Sequence, residues 1–421
     1  MSQSKPAPIA IVGGGPCGLT FARLLELAGI DYVVFERDDS PEPVSRHNRL
    51  GGTLDIHPGS GQAALEAAGL LDGFKRLARY EADVSTVQDF KGDHYFRHGD
   101  EVPVGERNRP EIDRAQLRTL LLDSVPGHRM RWGKALKKVE RLENAEAGAA
   151  GWVLRFADGS SEGGFRLVVG ADGAWSKVRP VITPVKPTYS GKGYIEGRLT
   201  PTNPQYAAAQ ELTGPGGSVT IGAGHLIVIQ QLSDRTYRVY AGLEEDETVT
   251  QPGGILDFTD IEKSRAALIE RFADFGPQQR AFVENAEGPW RIWPLYYLDA
   301  KIFSPEADGK TWTRAPGVAL LGDAAHLALP NGEGVNLAMV DSLRLFQCLS
   351  AELAKQGGAF DAQADAAAVE RAIVAYETEM RKNAGEHVVD GIQMADMMFS
   401  ADGAQRMIAF FKSFDEGAGP Q

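Results

Sequence analysis

The sequence predicts an α/β fold in which a Rossmann-like domain is interleaved with a smaller, sheet-rich domain and followed by a C-terminal helical segment. Three observations predict it. Residues 9–18 read as an apolar strand followed by a glycine-rich turn into a helix. Residues 190–300 mostly alternate between apolar and polar side chains, which is typical of strands. Residues 318–321 form one more apolar strand, so we expect the chain to return there to the first domain.

The composition excludes several classes of protein. Of the 421 residues, 43% are hydrophobic and 24% are charged, which allows a sizeable core. The 44 basic and 57 acidic side chains give a net charge of −13, which argues against nucleic acid and anionic membranes as partners. Two cysteines are too few for a disulfide framework, and no apolar run approaches the roughly 20 residues of a membrane span. We therefore expect a cytoplasmic protein, with no obligate protein partner evident.

The first strand, turn and helix carry the most specific pattern in the chain. The turn fits G-x-G-x-x-G with glycines at 13, 15 and 18. In this pattern Gly13 permits the tight turn, Gly15 lets the backbone approach a pyrophosphate, and Gly18 lets the helix pack on the strand. Glu36 ends the second strand, eighteen residues after Gly18, where it can bind the hydroxyls of an adenosine ribose. The spacing predicts a dinucleotide site.

Other elements follow from periodicity and turn residues. A hairpin is predicted from strands at 152–156 and 165–169, because Asp, Gly and Ser separate them. Helices are predicted over 62–71, 114–122, 261–272, 334–353 and, in the tail, 366–411.

Two further strands end in a Gly or Asp turn. One is followed by Asp172, Ser176 and Arg179, and the other by Gly322 and Asp323. Either turn alone fits a structural role with a capping Asp. With the N-terminal pattern, and in this order and spacing, they resemble the FAD-dependent class A aromatic hydroxylases, which are similar to para-hydroxybenzoate hydroxylase. The resemblance covers about residues 8–350.

Within that class, residues 36–38, 51–57, 59–62 and 110–114 look most like the tetracycline-inactivating flavin monooxygenases. The resemblance implies a division of the chain into three parts. These are an FAD-binding domain of residues 1–75, 105–180 and 301–350, a substrate-binding domain of residues 76–104 and 181–300, and a C-terminal helical segment of residues 351–421.

The resemblance also implies which residues bind FAD. Arg114, as a cationic fork, would reach the phosphate or ribityl region, and Asp323 would accept a ribityl hydroxyl. A helix after Pro330 would point at the isoalloxazine, where its positive end favours negative charge. The implied FAD-binding residues are Gly13, Gly15, Gly18, Glu36, Arg37, Asp55, Arg114, Asp172, Asp323, Pro330, Gly332, Gly334, Val335 and Asn336.

The implied reaction is oxygen insertion into an aromatic or polycyclic small molecule, for example one like tetracycline. NADPH would reduce FAD, and dioxygen would add to it as a flavin 4a-hydroperoxide. Because the cofactor carries this chemistry, we name no catalytic general acid or base. An FAD oxidase or reductase on the same scaffold, or a non-catalytic flavin- or ligand-binding protein, remains the alternative.

The residues for the other two ligands are less closely defined. The resemblance places an NADPH contact at Arg46, Asn48 or Arg49, with the register left open. It places substrate contacts at Glu196 and Gly217, where the tetracycline enzymes have a glutamine and an arginine. His225 lies on a strand that could line the same pocket.

The resemblance places Glu333 near the flavin, whereas the other interpretations below come from the residues themselves. Glu333 would either tune the flavin or face solvent, and His326 would either pair with Asp323 or shape its loop. We interpret residues 290–294, which include two tryptophans, as core packing. No spacing typical of a metal site occurs, so we predict no metal.

Overall fold

A computed structural model of the protein describes residues 6–41, 51–142, 151–251, 253–256, 261–357 and 360–415. Its strands are β1 (Ile9–Val12), β2 (Tyr32–Phe35), β3 (Thr53–Asp55), β4 (Ser85–Asp89), β5 (Tyr95–His98), β6 (Glu111–Asp113), β7 (Met130–Arg131), β8 (Leu136–Arg141), β9 (Trp152–Phe156), β10 (Ser161–Gly163), β11 (Leu167–Gly170), β12 (Thr188–Leu199), β13 (Gly217–Gly222), β14 (His225–Gln231), β15 (Tyr237–Glu244), β16 (Glu287–Tyr297) and β17 (Val318–Leu320).

The helices are α1 (Pro16–Leu27), α2 (Gly61–Ala67), α3 (Leu71–Leu77), α4 (Arg114–Asp123), α5 (Tyr206–Thr213), α6 (Ile261–Arg271), α7 (Pro277–Glu284), α8 (Asp323–His326), α9 (Gly334–Leu353), α10 (Ala362–Met398) and α11 (Gly403–Asp415). In the described ranges, no helix is both long enough and apolar enough to cross a membrane.

The first domain is built on a parallel sheet of five strands in the order β17-β11-β1-β2-β7. Every residue of β1, β2 and β11 is buried, which explains why these strands read as continuous apolar runs. Helices α1 and α9 pack against each other. This arrangement confirms the predicted Rossmann-like α/β fold, with the glycine turn at the carboxyl end of the central strand β1.

The predicted hairpin of residues 152–156 and 165–169 is wrong. Strand β9 pairs with β8 and β10 in a separate antiparallel sheet, whereas β11 pairs in parallel with β1 and β17. Gly164, with φ of +81°, lies between β10 and β11. The run from Leu167 to Gly170 is apolar on both faces, as a central parallel strand must be, and this signal outweighs its nearness to β9.

The second domain is a sheet of seven strands in the order β16-β12-β15-β14-β13-β4-β5. Strands β4 and β5, from the segment 76–104, extend it beside β13. On its outer face a core that includes Ile195, Ile227 and Phe272 packs under α5, α6 and α7. Side chains alternate along a strand, so the opposite face carries a different set. We call this the inner face, and it includes Glu196, Gln230, Arg238, Tyr240 and Trp293.

The C-terminal segment is two helices, where the sequence predicted one. Helix α10 ends at Met398, and α11 begins at Gly403 and packs on β4 and β13. A Cβ at Gly403 would overlap the carbonyl oxygen of Met397, so the turn between the helices requires glycine. The predicted helix over 62–71 is likewise divided, because Gly69 has φ of +68° between α2 and α3. Helix α9 matches its predicted bounds.

Candidate functional site

The glycine turn after β1 combines two tightly packed positions with one open position. A Cβ at Gly13, where φ is +110°, would overlap the carbonyl oxygen of Ala171, and a Cβ at Gly18 would overlap that of Gly13. No atom lies within 4 Å of a Cβ at Gly15. Helix α1 begins directly after Gly15 with Pro16, which has no N–H, and without a side-chain N-cap, so the N–H groups that follow Pro16 in the first turn are available. These features fit a pyrophosphate cradle.

Glu36 lies beside this turn and is held by backbone groups. Its side chain is buried, the N–H of Gly14 donates to Oε2 at 2.6 Å, and the N–H of Asp38 donates to Oε1 at 2.9 Å. A carboxylate accepts about four hydrogen bonds, so Glu36 keeps capacity for ribose hydroxyls. Arg37 is exposed next to it.

Sequence reasoning missed Arg118, which also lies at this turn. Its Nε donates to the carbonyl oxygen of Gly14 at 3.3 Å, and its Nη2 is 3.5 Å from Oδ2 of Asp38. The signal was present, because Arg118 lies four residues after Arg114 and so on the same face of α4. Arg114 is exposed at the first position of α4, and a Cβ at Gly51 would lie 2.7 Å from its Cδ.

The segments after β11 and β17 are joined by one buried arginine. Arg179 donates from Nε to the carbonyl oxygen of Ala324 at 2.7 Å and from Nη2 to that of Asp323 at 2.8 Å. The N–H of Lys177 donates to Oδ2 of Asp172, while Oδ1 of Asp172 is buried without a partner among the described residues. Burial raises the pKa of Asp172. The side chain of Asp323 is exposed at the start of α8, so both Asp172 and Asp323 retain acceptor atoms for a ligand.

His326 is paired with Asp341 and not with Asp323. Its Nε2 lies 2.6 Å from Oδ2 of Asp341, and both side chains are buried. The same Oδ2 accepts the N–H of Gly322 at 2.8 Å. Between the two interpretations, the structure therefore favours His326 as a residue that shapes the Asp323 loop.

Asn336 lies in the first turn of α9, and its side-chain amide also bonds to the backbone of another segment. The amide is buried, its Oδ1 accepts the N–H of His57 at 2.9 Å, and its Nδ2 donates to the carbonyl oxygen of Asp55 at 2.9 Å. Asn336 thereby ties β3 to the first turn of α9. The turn before α9 includes Pro330 and Gly332, both exposed, and the helix begins at Gly334 and Val335 without a side-chain N-cap.

A cluster of four charged groups lies at the same junction. We call Asp55, His57, Arg109 and Glu333 the charged cluster. His57 is 2.6 Å from Asp55 at Nε2 and 3.0 Å from Glu333 at Nδ1. Burial lowers the pKa of His57, but hydrogen bonds to the two carboxylates outweigh burial and raise it to about 9. Glu333 is about half exposed and paired, so it neither simply faces solvent nor stands alone.

The inner face of the seven-stranded sheet meets this region at Gly52. A Cβ at Gly52 would lie 2.6 Å from Oε1 of Gln230 and 2.6 Å from Oη of Tyr240. Gly217 pairs with Gln230 and shares its face. His225 packs against Phe272 in the outer core, with ring centroids 5.4 Å apart. The sheet therefore brings Gly217, but not His225, toward the glycine-rich segment before β3.

Glu196 is on the inner face but is already paired. Its Oε1 is 3.3 Å from Nη1 of Arg238, and its Oε2 accepts the indole N–H of Trp293 at 2.7 Å. The interpretation of residues 290–294 as core holds for Trp290, which is buried, and is wrong for Trp293, which is 43% exposed.

Arg46, Asn48 and Arg49 lie outside the described residues. Among the residues that the structure describes, no group of three or more His, Cys, Asp or Glu side chains could hold a metal ion.

The parallel sheet, the glycine cradle and the paired acid define a dinucleotide-binding protein, and α9 begins beside this site without a side-chain cap. The family described as the FAD binding domain matches residues 6–195 and 301–382. The chain belongs to this family.

Named relatives agree with that assignment. Monooxygenase penA of Penicillium thymicola is 32% identical over 419 residues, covering 90% of this chain and 92% of that protein. The 3-amino-4-hydroxybenzoate 2-monooxygenase of Streptomyces cremeus is 29% identical over 358 residues, covering 82% of this chain and 78% of that protein.

Solved structures share the fold. HpxO of Klebsiella pneumoniae complexed with FAD and uric acid superimposes with a TM-score of 0.71 at 20% identity, covering 97% of this chain and 93% of that one. Tetracycline destructase Tet(51) gives a TM-score of 0.65 at 16% identity, covering 99% of this chain and 100% of that one. The chain is an FAD-dependent monooxygenase of the aromatic hydroxylase class, which confirms the predicted enzyme class and its FAD cofactor.

Proposed function

We propose that this enzyme uses NADPH and dioxygen to insert one oxygen atom into a small aromatic or polycyclic molecule, held between the inner face and the FAD-binding domain. The contact at Gly52 carries the proposal, because it brings Gln230 and Tyr240 against the segment that leads into β3. Gln230 and Tyr240 offer polar groups where the two domains meet, and ligand sites commonly lie between domains.

The names of the relatives and structural neighbours support this substrate class. They refer to 3-amino-4-hydroxybenzoate, uric acid and tetracycline. All three are small molecules built on flat or fused rings. Bound FAD, once reduced, supplies the electrons that activate dioxygen for such a substrate.

The residues of the chain hold and orient the reactants. We assign the pyrophosphate to the turn of Gly13, Gly15 and Gly18, the ribose to Glu36 with Arg37 beside it, and the ribityl chain to Asp323 and Arg114. The uncapped first turn of α9, at Gly334 and Val335, presents N–H groups that favour negative charge on the flavin ring. Asn336 and Asp55 fix the position of that turn against β3. We keep Asp172 as a contact of FAD or NADPH.

Tyr240 has a defined protonation state. Burial of its hydroxyl raises the pKa of Tyr240 above the usual range, and the charge of Glu196 raises it further. The phenol is therefore protonated at neutral pH. It can donate a hydrogen bond to a polar substituent of the substrate, but it cannot act as a general base there.

The test is an incubation of the FAD-loaded enzyme with NADPH, air and a panel of 2-naphthol, 3-amino-4-hydroxybenzoate, uric acid and tetracycline. Mass spectrometry should show a product with one added oxygen atom for at least one compound, only when NADPH is present. Anaerobic flavin reduction by NADPH with no such product would favour the oxidase or reductase alternative. No flavin reduction at all would favour a non-catalytic binder.

A variant tests whether the inner face holds the substrate. Tyr240→Phe removes the hydroxyl and keeps the ring. Loss of one hydrogen bond should raise KM for the accepted substrate by roughly five- to tenfold, since such a bond contributes about 1 kcal/mol. His225→Ala, on the outer face, is the matched control and should leave KM unchanged.

A further inference from the structure

Two tryptophans of β16 point to opposite faces of the sheet. Trp290 is 7% exposed in the outer core and donates its indole N–H to the carbonyl oxygen of Ala286 at 3.2 Å. Trp293 is on the inner face and is 43% exposed. None of the ring pairs and cation-ring contacts among the described residues includes Trp293. Its indole therefore has a defined edge contact and uncovered ring surface.

A buried ion pair on the neighbouring strands fixes the orientation of the Trp293 indole. Its N–H donates to Oε2 of Glu196 at 2.7 Å, and Oε1 of Glu196 is 3.3 Å from Nη1 of Arg238. Glu196 and Arg238 are 3% and 7% exposed, so this pair is largely shielded from water. A buried charge needs a partner, and here Arg238 neutralises Glu196. Each carboxylate oxygen of Glu196 thus already has a partner, one in Arg238 and the other in Trp293.

The distance across the inner face suggests the size of the ligand. Glu196 on β12 is directly opposite Tyr240 on β15. On the other side of β12, Trp293 is directly opposite Tyr194, two residues before Glu196, and reaches Glu196 diagonally. Adjacent strands are about 4.8 Å apart and a strand rises about 3.3 Å per residue, so two strand steps and this two-residue offset separate the backbones of Trp293 and Tyr240 by roughly 12 Å. One six-membered ring spans about half of that distance, whereas a fused-ring system can reach from the indole to the hydroxyl at Gly52.

We propose that Trp293 is the surface on which the substrate ring system stacks, and that it gives the enzyme a preference for fused-ring over single-ring aromatic substrates. Glu196, held by Arg238, is a positioning residue that fixes the indole and is not itself a substrate ligand. This inference rests on the proposed function, because it concerns the same substrate site. Stacking of aromatic rings in offset or edge geometry adds to the burial of their surface.

The test measures binding of 2-naphthol and phenol to the FAD-loaded protein by equilibrium dialysis, without NADPH. The wild-type protein should bind 2-naphthol more tightly than phenol. Trp293→Leu should raise the Kd for 2-naphthol about three- to tenfold, and that for phenol less than twofold. Trp293→Phe, which keeps one ring, should lie between. Trp290→Phe, on the other face of the same strand, is the matched control and should change neither Kd.

The positioning role has its own variants. Glu196→Gln keeps an acceptor for the indole N–H and should retain most of the preference for 2-naphthol. Glu196→Leu removes the acceptor and should lose it. Because Leu leaves Arg238 without a partner and can impair folding, retention of FAD is measured for each variant, and only variants that retain FAD are compared.

Several results would overturn the inference. These are wild-type protein that binds neither ligand, equal binding of both, equal weakening of both in Trp293→Leu, or an effect of Trp290→Phe as large as that of Trp293→Leu. None of these outcomes decides the proposed function, which depends on oxygen insertion by the wild-type enzyme with NADPH. An enzyme that hydroxylates a member of the panel but fails the dialysis test keeps the function and loses the stacking surface.

Discussion

Gly15 and Gly18 are three residues apart in the same turn, and the structure predicts that alanine impairs a different property at each position. Gly15 has φ of −83° and ψ of 179°, which any residue can adopt, and a Cβ there has no neighbour within 4 Å. A Cβ at Gly18 would overlap the carbonyl oxygen of Gly13 and lie 3.3 Å from Cβ of Ala171. We therefore expect Gly15→Ala to impair FAD binding and Gly18→Ala to impair folding.

The magnitudes follow from these surroundings. Without FAD, Gly15→Ala should unfold at the wild-type denaturant concentration or slightly above it, because restricting the unfolded chain contributes about 0.4–1 kcal/mol. With FAD, the new methyl group keeps the backbone from the pyrophosphate. Loss of one charge-assisted hydrogen bond costs about 1.5–3 kcal/mol, so the Kd for FAD should rise at least about tenfold. Gly18→Ala forces backbone to move, and overpacking of this kind costs roughly 1–3 kcal/mol or more.

Two measurements distinguish the variants. Urea unfolding of the FAD-free proteins gives the free energy of unfolding, and titration with FAD, followed by quenching of flavin fluorescence, gives the Kd. The open position assigned to Gly15 is refuted if Gly15→Ala binds FAD as tightly as the wild type. It is equally refuted if Gly15→Ala is destabilised as much as Gly18→Ala, because position 15 would then be packed in the FAD-free protein.

Three further predictions concern single side chains. The pKa of His57, raised to about 9 from its ordinary 6.5, means that its interactions stabilise the fold fully below pH 6.5 and are lost as the pH rises through 9. We therefore compare the free energy of unfolding of wild type and His57→Gln in urea. The difference between them should shrink between pH 6 and pH 10, by at most about 3 kcal/mol. A difference that stays constant would exclude a charged His57. Asn336→Ala leaves a buried N–H and a buried carbonyl oxygen without partners, so it should lower the free energy of unfolding by about 2–3 kcal/mol; a loss below 0.5 kcal/mol in the same assay would mean that Asn336 does not tie β3 to α9. Asp341→Asn breaks a buried ion pair and should lower the free energy of unfolding by about 3 kcal/mol. Asp323→Asn changes an exposed side chain, so it should leave the urea midpoint unchanged and weaken only FAD binding in the titration. Equal urea midpoints for the two variants would contradict these assignments.

The parts of the fold that the sequence predicts well depend on residues close together in the chain. The glycine turn, the acid at Glu36 and the start of α9 each follow from local spacing, and the structure has them at the predicted places. The failed hairpin of residues 152–156 and 165–169 shows the limit of that reasoning. Two neighbouring strands joined by turn residues predict a hairpin, but pairing of β11 with β1, some 158 residues earlier, decides the sheet.

The unpredicted parts of the site join residues that are distant in sequence. His57 and Glu333 are 276 positions apart, and nothing near either residue indicates the partner. The pairing of Glu196 with Arg238 and Trp293 likewise depends on the register of three strands. Alternation along β16 does place Trp290 and Trp293 on opposite faces, so that signal was in the sequence. Which face would be buried depends on α6 and α7, and this requires the structure.

The central claim is that this FAD-dependent monooxygenase transfers oxygen from dioxygen to an aromatic substrate at the inner face. The most direct test uses isotopically heavy dioxygen with the FAD-loaded enzyme, NADPH and 2-naphthol, followed by mass spectrometry of the product. This mechanism predicts a product that carries one heavy oxygen atom, formed by the wild type and by Trp290→Phe but several-fold less efficiently by Trp293→Leu. A product whose added oxygen comes from water, or consumption of NADPH across the whole substrate panel with no oxygen added to any member, would contradict it.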